Sequence, residues 1–343
     1  MTLKIAINGF GRIGRGVLRA LLESAADDMQ VVAINDLAPA QTLTHLLKYD
    51  SVHGRLGQSV MLDGETLRVG KHSIRLSQCP APEDLLWQDV DIAFECTGRF
   101  TSRDQLQRHL QNGSKRVLLS APGTDMDRTI VFGVNDDQLT PDDLIVSNAS
   151  CTTNCLAPIA MVLDQEFGIQ TGYMTTIHAF TGDQPTHDTP HRDLYRARAA
   201  SVSMIPTSTG AARAISHVLP HLEGRLEGSA IRVPTANVSL VDLSFVPQRS
   251  ATVDTVNAAI RTAAKGSLAG ILAYENDPLV SADFNHDPNS SCFAAAQTTV
   301  TRDGMVRVVS WYDNEWGFSN RMLDTGRAIG RLMQSATTTR LAS

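Results

Sequence analysis

Two cysteines lie four residues apart in the run Ser147-Asn148-Ala149-Ser150-Cys151-Thr152-Thr153-Asn154-Cys155. The apolar segment before this run predicts a strand, and the apolar spacing after it predicts a helix. Cys151 would therefore stand at a strand-to-helix junction, where free backbone N–H groups and the helix dipole stabilise a thiolate. A lone cysteine is more often an inert packing residue, but this position predicts a nucleophile.

A thiol nucleophile needs a base, and His178 at the end of the predicted strand 171–179 is the candidate imidazole. A purely structural histidine at the strand end is the alternative. Cys155 lies one helical turn from Cys151 and is predicted to pack on the helix. A metal pair is the other interpretation, but no second Cys or His pair with zinc spacing accompanies it, so no metal is predicted.

A glycine-rich turn, Gly9-Phe10-Gly11-Arg12-Ile13-Gly14, follows a predicted strand and opens a predicted helix, as in dinucleotide-binding sites. Gly9 permits the tight turn, Gly11 admits a pyrophosphate to the backbone, and Gly14 lets the helix pack closely on the strand. The N–H groups of Arg12 and Ile13 would face the phosphates.

Asp36 ends the second predicted strand, 22 residues after Gly14. A carboxylate there accepts hydrogen bonds from both ribose hydroxyls and repels a 2′-phosphate, which favours NAD over NADP. A turn or cap role is the alternative for this acid.

Small hydroxyls, glycines and arginines that suit phosphate recur in the second half of the chain. Thr209 and Gly210 precede an apolar helix and can present N–H groups to an anion. Arg196 and Arg232 can add charge-assisted hydrogen bonds. Each of these residues taken singly is more often an ordinary cap or a surface salt-bridge partner.

The elements that would position these residues fall into two groups. Residues 1–150 alternate predicted strands (3–8, 31–35, 91–96, 116–120, 144–147) with helix-like stretches, and short antiparallel strands are predicted between 49 and 87. This pattern predicts an α/β, Rossmann-type dinucleotide-binding domain. Residues 151–317, with strands 171–179, 229–234, 238–246 and 305–311 and helices 208–219 and 253–265, predict an α+β catalytic domain on an antiparallel sheet. A final helix at 320–333 and a flexible polar tail at 335–343 complete the prediction.

Composition narrows the class of protein. The 343 residues carry a net charge of −6, which argues against nucleic acid or an anionic membrane as the primary partner. No run of 18 apolar residues predicts a membrane helix. Five cysteines without a signal peptide predict a reducing compartment, so we expect a cytoplasmic protein.

From residue 4 to residue 331 the chain resembles the phosphorylating glyceraldehyde-3-phosphate dehydrogenases. Besides the run 147–155, the matching segments are Ile7-Asn8-Gly9-Phe10-Gly11-Arg12-Ile13-Gly14, Leu47-Lys48-Tyr49-Asp50-Ser51-Val52-His53-Gly54, Ser208-Thr209-Gly210-Ala211-Ala212, Arg232-Val233-Pro234-Thr235 and Ser310-Trp311-Tyr312-Asp313-Asn314-Glu315-Trp316-Gly317. The resemblance implies a glycolytic oxidoreductase that converts D-glyceraldehyde 3-phosphate to 1,3-bisphosphoglycerate with reduction of NAD. It also implies a dinucleotide domain closed by the C-terminal helix 318–334, and a homotetramer in which the loop near 181–206 lines a neighbour's cofactor site.

The resemblance also implies roles for individual residues. Cys151 would be the nucleophile that forms a hemithioacetal and a thioester, and His178 would activate it and shuttle protons. We expect the imidazole and the helix end to lower the pKa of Cys151 to roughly 6. Substrate phosphate and inorganic phosphate would bind at Ser150, Thr152, Thr181, Arg196, Thr209, Gly210 and Arg232. NAD would contact Arg12, Ile13, Asp36, Ser120 and Asn314, with Asn314 orienting the nicotinamide amide.

Some alternatives stay open. Relatives that use NAD usually carry an apolar residue where Thr189 precedes Pro190, and Gly182 is found in some relatives that use NADP, so modest use of NADP is left open. Erythrose-4-phosphate dehydrogenase, a non-phosphorylating relative, is the alternative enzyme, although its phosphate segments usually diverge from residues 206–210. A non-catalytic, NAD-bound scaffold or redox sensor is the alternative of a different class.

Overall fold

The computed structural model describes residues 2–24 and 26–342, with side chains described as far as Ser335. The chain folds as two compact units, residues 1–149 together with 319–343, and residues 150–318. The prediction of a flexible tail at 335–343 falls, apart from Ser335, outside the described side chains and stays a prediction.

The first unit alternates strands and helices along most of its length. Its elements are β1 (Leu3–Asn8), α1 (Arg12–Glu23), β2 (Met29–Asn35), α2 (Ala40–Lys48), β3 (Tyr49–Asp50), β4 (Gly54–Arg55), β5 (Val60–Asp63), β6 (Thr66–Val69), β7 (His72–Ser77), β8 (Ile92–Glu95), α3 (Arg103–Gln111), β9 (Arg116–Leu119), β10 (Arg128–Thr129) and β11 (Ile145–Ser147).

The second unit opens with a long helix and is built around long strands. Its elements are α4 (Cys151–Phe167), β12 (Ile169–Ala179), β13 (Ile205–Ser208), α5 (Ala211–Val218), β14 (Leu226–Val233), β15 (Ser239–Pro247), α6 (Val253–Lys265), β16 (Leu272–Glu275), β17 (Ser291–Ala294), β18 (Thr299–Val300) and β19 (Val306–Tyr312). The last helix, α7 (Trp316–Ala342), returns the chain to the first unit from Ser319 onward.

The described part of the first unit holds a sheet of nine strands in the order β10-β11-β9-β8-β1-β2-β7-β6-β5, and β3 and β4 form a separate antiparallel pair. All pairs from β10 to β7 are parallel, and β5 and β6 add an antiparallel edge. β1 and its neighbours β2 and β8 are rich in fully buried Ile, Val, Ala and Phe side chains, as parallel strands covered on both faces require. This doubly wound sheet confirms the predicted α/β class. The loops that follow its parallel strands lie at one edge of the sheet, where ligands bind in folds of this class.

The sheet of the second unit runs β13-β14-β12-β15-β19-β17-β16, with β18 paired to β19. Most pairs are antiparallel, as predicted, but β12–β14 and β16–β17 are parallel. β14 can run beside β12 because a long crossover containing β13 and α5 returns the chain to the same edge. The ends of β12 and β14 therefore bring His178 and Arg232 into register.

One predicted helix begins too early. Residues 208–219 are predicted as helix, but Ser208 belongs to strand β13, and α5 begins only at Ala211. β13 pairs antiparallel with β14 through Ile205, Pro206, Thr207 and Ser208, so sheet hydrogen bonds override the local helix signal there. The predicted helix at 253–265 coincides with α6.

Candidate active site

The glycine-rich turn joins β1 to α1 in the first unit. Gly9 has φ +89°, a conformation that favours glycine, and a Cβ there would lie 2.6 Å from the Thr97 nitrogen. A Cβ on Gly14 would lie 2.2 Å from the Gly9 carbonyl oxygen, so this glycine lets the helix approach the turn. Gly11 has open space where its Cβ would be, and it directly precedes the first N–H groups of α1. The turn thus leaves room for an anion beside the helix N-terminus.

Asp36 follows β2 and is held by two backbone donors. The N–H groups of Phe10 and Ala38 donate to its carboxylate at 2.7 and 2.9 Å. A carboxylate has about four acceptor positions, so two remain for hydroxyl donors. The carboxylate lines a cavity of about 220 Å³, whose other walls include Asn8, Gly9, Gly11, Asn35, Leu37, Cys79, Pro80, Cys96, Thr97, Arg99 and Phe100.

A buried polar network lies beneath this cavity. Glu95 and His109 are completely buried, and the Glu95 carboxylate lies 3.0 Å from His109 Nε2. Asn8 donates to the same carboxylate at 2.7 Å and accepts from Asn35 at 2.8 Å, while the Thr97 N–H donates to Glu95 at 2.8 Å. Asn8, Asn35 and Thr97, which line the cavity, are therefore fixed in position by hydrogen bonds to one another and to the buried Glu95. Sequence reasoning missed this network, because its members are far apart in the chain and form no motif.

Of the other proposed cofactor residues, three belong to the first unit and one, Asn314, to the second. Arg12 opens α1, with its guanidinium on the Asp50 carboxylate, and Ile13 is next on that helix. Ser120 follows β9 in the first unit, and its N–H donates to the Glu95 carbonyl at 3.0 Å. Asn314 follows β19 in the second unit, where its side-chain oxygen accepts from Ser239 Oγ at 2.8 Å.

Cys151 is the first residue of helix α4 in the second unit. Ser150 caps this helix, and its hydroxyl accepts from the Thr153 N–H at 3.1 Å. The preceding Ala149 has φ +56°, a strained conformation for a residue with a Cβ. The sulfur lies near the N–H groups of Cys151 and Thr152, which stabilise negative charge on it. Cys151 is partly exposed, so a substrate can reach it.

His178 lies in contact with the candidate nucleophile. Its Nε2 is 3.5 Å from Cys151 Sγ, and its ring is buried at the end of β12. Its Nδ1 has two neighbours, the Ala179 carbonyl oxygen at 2.7 Å and Arg232 Nη1 at 2.8 Å. In the tautomer whose Nδ1 proton is donated to the Ala179 carbonyl, to which Arg232 Nη1 also donates at 2.9 Å, Nε2 is free to accept a proton from the thiol.

The expectation of a thiol pKa near 6 is wrong for this arrangement. Burial raises the pKa of Cys151 above its ordinary value, although the Arg232 charge and the N–H groups at the helix start oppose the rise. Burial and the charge of Arg232 lower the pKa of His178 to about 3. At neutral pH the pair is therefore a neutral thiol beside a neutral imidazole, ready for proton transfer during attack.

Two arginines gather near this pair. Arg232 and Arg196 both exert their positive charge on His178. Arg196 donates to Asp183 at 2.8 Å and to Thr207 Oγ1 at 3.0 Å. Arg232 Nε is buried and has no hydrogen-bond partner within the described residues, so it can donate to an anion.

The other proposed phosphate-binding residues of the second unit, Thr181, Thr209 and Gly210, lie between its helices and strands. Thr209 and Gly210 precede α5, and the Ala211 N–H donates to Thr209 Oγ1 at 3.1 Å. Thr181 lies in the loop after β12, and its carbonyl accepts from the Gln184 N–H at 2.9 Å. No described hydrogen bond joins either of these to the Cys151–His178 pair.

Tyr312 is a site residue that the sequence analysis did not select. Its phenol oxygen lies 2.8 Å from Thr152 Oγ1 and 2.9 Å from Thr176 Oγ1, and its ring meets His178 edge to face. Thr152 and Thr176 are 160 and 136 residues from Tyr312 along the chain, so only the folded sheet could reveal the cluster.

Comparisons with known proteins point to one family over nearly the whole chain. Residues 3–103 match the family "Glyceraldehyde 3-phosphate dehydrogenase, NAD binding domain", and residues 150–314 match "Glyceraldehyde 3-phosphate dehydrogenase, C-terminal domain". A glyceraldehyde-3-phosphate dehydrogenase of Cereibacter sphaeroides is 60% identical over 97% of this chain and 100% of its own length. Those of Xanthobacter flavus and Pseudomonas aeruginosa are 58% and 55% identical, over 97% and 96% of this chain and 100% and 98% of their own lengths. The chain belongs to the glyceraldehyde-3-phosphate dehydrogenase family.

Membership of the glyceraldehyde-3-phosphate dehydrogenase family confirms the resemblance seen in the sequence, the fold class and NAD as the cofactor. The residues of the first unit fit that cofactor. The open space at Gly11 suits a pyrophosphate, and the two remaining acceptor positions of Asp36 suit ribose hydroxyls.

Three further observations concern Cys155, metal binding and membrane-spanning helices. Cys155 is buried against β17 and β19, with Sγ 3.6 Å from Ser291 Oγ, and burial raises its pKa to about 12. No described group of three or more His, Cys, Asp or Glu side chains is arranged to hold a metal ion. Among the described helices, none is long and apolar enough to cross a membrane.

Proposed function

We propose that this chain carries out its family's reaction through Cys151 as nucleophile and His178 as proton acceptor. It oxidises D-glyceraldehyde 3-phosphate and phosphorylates it to 1,3-bisphosphoglycerate, with reduction of NAD. The observation that carries the residue assignment is the 3.5 Å separation of Cys151 Sγ and His178 Nε2 at the N-terminus of α4. A sulfur in contact with a buried, neutral imidazole has the arrangement that covalent catalysis requires.

The first half of the reaction forms a covalent intermediate. His178 accepts the thiol proton as the Cys151 sulfur adds to the aldehyde carbon, and it passes that proton to the carbonyl oxygen to give a hemithioacetal. His178 then removes the hydroxyl proton while the carbon loses its hydride, which leaves a thioester on Cys151. In the second half, an oxygen of inorganic phosphate attacks the thioester carbonyl, and the Cys151 thiolate leaves as the acyl phosphate forms.

Bound NAD supplies the hydride acceptor for this sequence. In the first unit we assign its binding to Gly9, Gly11, Gly14, Arg12, Ile13, Asp36 and Ser120. Asn314 of the second unit would hold the nicotinamide amide, and its bond from Ser239 orients its side chain for that purpose.

We assign the two phosphate groups to the hydroxyls, N–H groups and arginines of the second unit, namely Ser150, Thr152, Thr181, Arg196, Thr209, Gly210 and Arg232. The buried Arg232 Nε supports this assignment, because it lacks a partner within the described residues. An anion beside Arg232 would offset the positive charge that lowers the pKa of His178. Substrate binding would therefore make the imidazole a stronger base.

We further propose a homotetramer in the cytoplasm. The loop 181–206 exposes large apolar side chains, with Leu194 82% and Val202 78% accessible, as an unformed interface would. All five cysteines are free thiols, which supports a reducing compartment.

A steady-state assay with glyceraldehyde 3-phosphate tests the proposed chemistry. We expect NADH formation to require added inorganic phosphate, and turnover with NAD to exceed turnover with NADP. Cys151→Ser should lower kcat by about 10³-fold or more, because the covalent route is lost. Cys292→Ala, which alters a buried thiol in a separate apolar cluster with Phe284, should retain turnover.

Two results would contradict the proposal. NADH formation that ignores added phosphate would favour a non-phosphorylating enzyme such as erythrose-4-phosphate dehydrogenase. Full turnover by Cys151→Ser would remove Cys151 from the reaction. The relatives reported above carry the name of a glyceraldehyde-3-phosphate dehydrogenase, so neither that alternative nor a non-catalytic scaffold gains support from them.

A further inference from the structure

The side chain of Asn314 is buried, yet only its oxygen has a described partner. The residue is 5% exposed, and its Oδ1 accepts from Ser239 Oγ at 2.8 Å. No described residue accepts a hydrogen bond from its Nδ2. An amide nitrogen has two protons to donate, and a buried amide rarely leaves both unused. The Asn314 nitrogen is therefore available to a ligand that presents an acceptor.

Ser239 determines which end of the Asn314 amide is available. The Ala179 N–H donates to Ser239 Oγ at 3.0 Å, and a backbone N–H can only donate. The single proton of the Ser239 hydroxyl is donated to Asn314 Oδ1. If the amide were turned by about 180°, its Nδ2 would face Ser239. No other hydrogen bond of this buried hydroxyl is described, so its proton would then lose its acceptor. Ser239 thus holds the amide oxygen and leaves the nitrogen to a ligand.

The backbone is strained directly beside Ser239. Val238 has φ +68°, which is rare for a β-branched residue, and its side chain is held in a buried apolar cluster. Strands β12 and β15 are paired as far as Ile177 and Leu240, so Val238 would come opposite Ala179 if the pairing continued. Because Val238 leaves the strand conformation, the Ser239 hydroxyl accepts the Ala179 N–H. Strain of this kind persists where the surrounding structure holds it, and it clusters at functional sites.

Asn237, on the other side of Val238, holds the backbone next to Asn314. Its Nδ2 donates to the Asp313 carboxylate at 2.8 Å, and Asp313 is 1% exposed. The same carboxylate accepts from three backbone N–H groups, at 2.7, 2.9 and 2.8 Å, namely those of His286, Glu315 and Trp316. Asn237 therefore fixes the turn that carries Asn314, while Ser239 fixes the Asn314 amide itself.

We propose that Ser239 is a positioning residue that makes Asn314 a hydrogen-bond donor toward the bound cofactor, with Asn237 fixing the turn for this role. The inference rests on the proposed function, because it takes Asn314 as the residue that holds the nicotinamide amide. Its consequence is a specificity. The subsite selects a pyridine ring whose 3-substituent presents a carbonyl oxygen, and it does not require the NH₂ group of that substituent. Without the Ser239 proton, Asn314 Oδ1 is free to face the cofactor, and that oxygen needs a donor in the ligand.

Two dinucleotides distinguish these cases in a binding measurement by isothermal calorimetry. NAD carries a carboxamide, which has a carbonyl oxygen and an NH₂ group, whereas 3-acetylpyridine adenine dinucleotide has a methyl group in place of the NH₂. In Ser239→Ala, a turned Asn314 can accept from the NH₂ group of NAD but gains nothing from the methyl group. We therefore expect Ser239→Ala to weaken binding of the acetylpyridine analogue about three- to tenfold more than binding of NAD. ADP-ribose, which has no pyridine ring, should bind to this variant as it binds to the unaltered protein.

Two further variants complete the test. Ser310→Ala is the matched control, because it removes another buried serine hydroxyl of the second unit, one that pairs with Ser291 Oγ at 2.7 Å. It should keep the ratio of the two dissociation constants. Asn314→Asp keeps the shape of the side chain and replaces its donor by an acceptor, so it should disfavour the analogue in the same direction as Ser239→Ala. This variant tests the donor role of Asn314 even where Ser239→Ala fails to fold.

A double variant shows whether Ser239 acts through Asn314. In an Asn314→Ala background, Ser239→Ala should leave the ratio of dissociation constants unchanged, since no amide remains to turn. An equal change of the ratio in both backgrounds would overturn the inference, as would an unchanged ratio in a Ser239→Ala protein that still binds ADP-ribose. If Asn314→Ala alone bound NAD as tightly as the unaltered protein, the assignment of Asn314 to the cofactor would fail together with the inference. Calorimetry needs no turnover, so these results are independent of the phosphate requirement and of the Cys151→Ser assay.

Discussion

His178 carries the tightest set of constraints of any single residue in the site. Its ring is buried, Nε2 faces the Cys151 sulfur, and Nδ1 faces both the Ala179 carbonyl and Arg232. A protonated ring would place a second positive charge beside a guanidinium in a poorly solvated place. The site therefore keeps a neutral imidazole available at neutral pH, which is the form that can accept a proton.

This constraint predicts an acid-dependent loss of stability. The pKa of His178 is about 3 in the folded protein and its ordinary value is 6.5. Between these pH values the unfolded chain binds a proton at this ring that the folded chain does not, so stability falls as pH falls. The slope from one such group reaches about 1.4 kcal/mol per pH unit.

We expect His178→Asn to remove that part of the slope. Denaturant unfolding at pH 7.5, 6.0 and 5.0, at one protein concentration, would measure it. The variant should lose less stability than the unaltered protein on going from pH 7.5 to 5.0. Equal losses in the two proteins would show that the imidazole is not held neutral in the folded state.

Some of this residue-level detail was predictable from the sequence and some was not. Cys151 and His178 could be paired as candidates because each follows a strong strand signal and has a chemistry that complements the other. The effect of burial on their pKa values was not predictable, since it depends on which side chains surround them in the fold. Tyr312 had no motif of its own that indicated its bonds to Thr152 and Thr176.

At the scale of elements, strong local patterns predicted the structure well. β1 and α6 have the predicted bounds, because alternating or helical apolar spacing is uninterrupted there. Strands β16 and β17 were not predicted, since they are short and their burial depends on tertiary pairing with each other and with β19. β13 was not predicted for the same reason, and its last residue, Ser208, was assigned to a predicted helix.

The β1–α1 turn offers a prediction at this scale, because two of its glycines differ in what surrounds them. Gly14→Ala would press a methyl group against the Gly9 carbonyl and should lower the free energy of unfolding by about 2 kcal/mol. Gly11→Ala meets open space within the protein and should leave stability unchanged. It should nevertheless weaken NAD binding about tenfold or more, because the methyl group occupies the space proposed for the pyrophosphate.

Isothermal calorimetry with NAD and denaturant unfolding would measure the two quantities separately. Gly57→Ala is the matched control, since its Cβ also meets open space and Gly57 lies outside the cavity walls. If Gly11→Ala binds NAD as tightly as this control, the phosphates do not lie against the turn.

At the scale of the whole molecule, exposed apolar side chains concentrate in one loop. Leu194, Tyr195, Val202 and Met204 are each more than 60% accessible and all lie within residues 181–206. Several large apolar side chains exposed within one short segment are uncommon on monomers and indicate a surface that another chain covers. A second copy of this chain is the partner that we propose.

A charge in this loop should therefore weaken the assembly. We expect Leu194→Glu, or Leu194→Glu with Val202→Glu, to shift sedimentation velocity from a tetramer toward smaller species, because a desolvated carboxylate opposes association. Leu86→Glu is the control, since Leu86 is 70% exposed but belongs to the first unit, outside the loop. A tetramer that persists at micromolar concentration in the double variant would exclude the loop from the interface.

The buried Glu95–His109 network sets limits for anyone who redesigns the cofactor preference of this enzyme. Replacing Asn8 or Thr97 would remove the side-chain amide or hydroxyl donor of a carboxylate that has no access to water, which costs about 1–3 kcal/mol or more. Leu37, Arg99 and Phe100 also line the cavity but have no described hydrogen bond to that carboxylate. Mutant libraries directed at these three positions would explore new nucleotide specificities and would leave intact the buried hydrogen bonds that support the pocket.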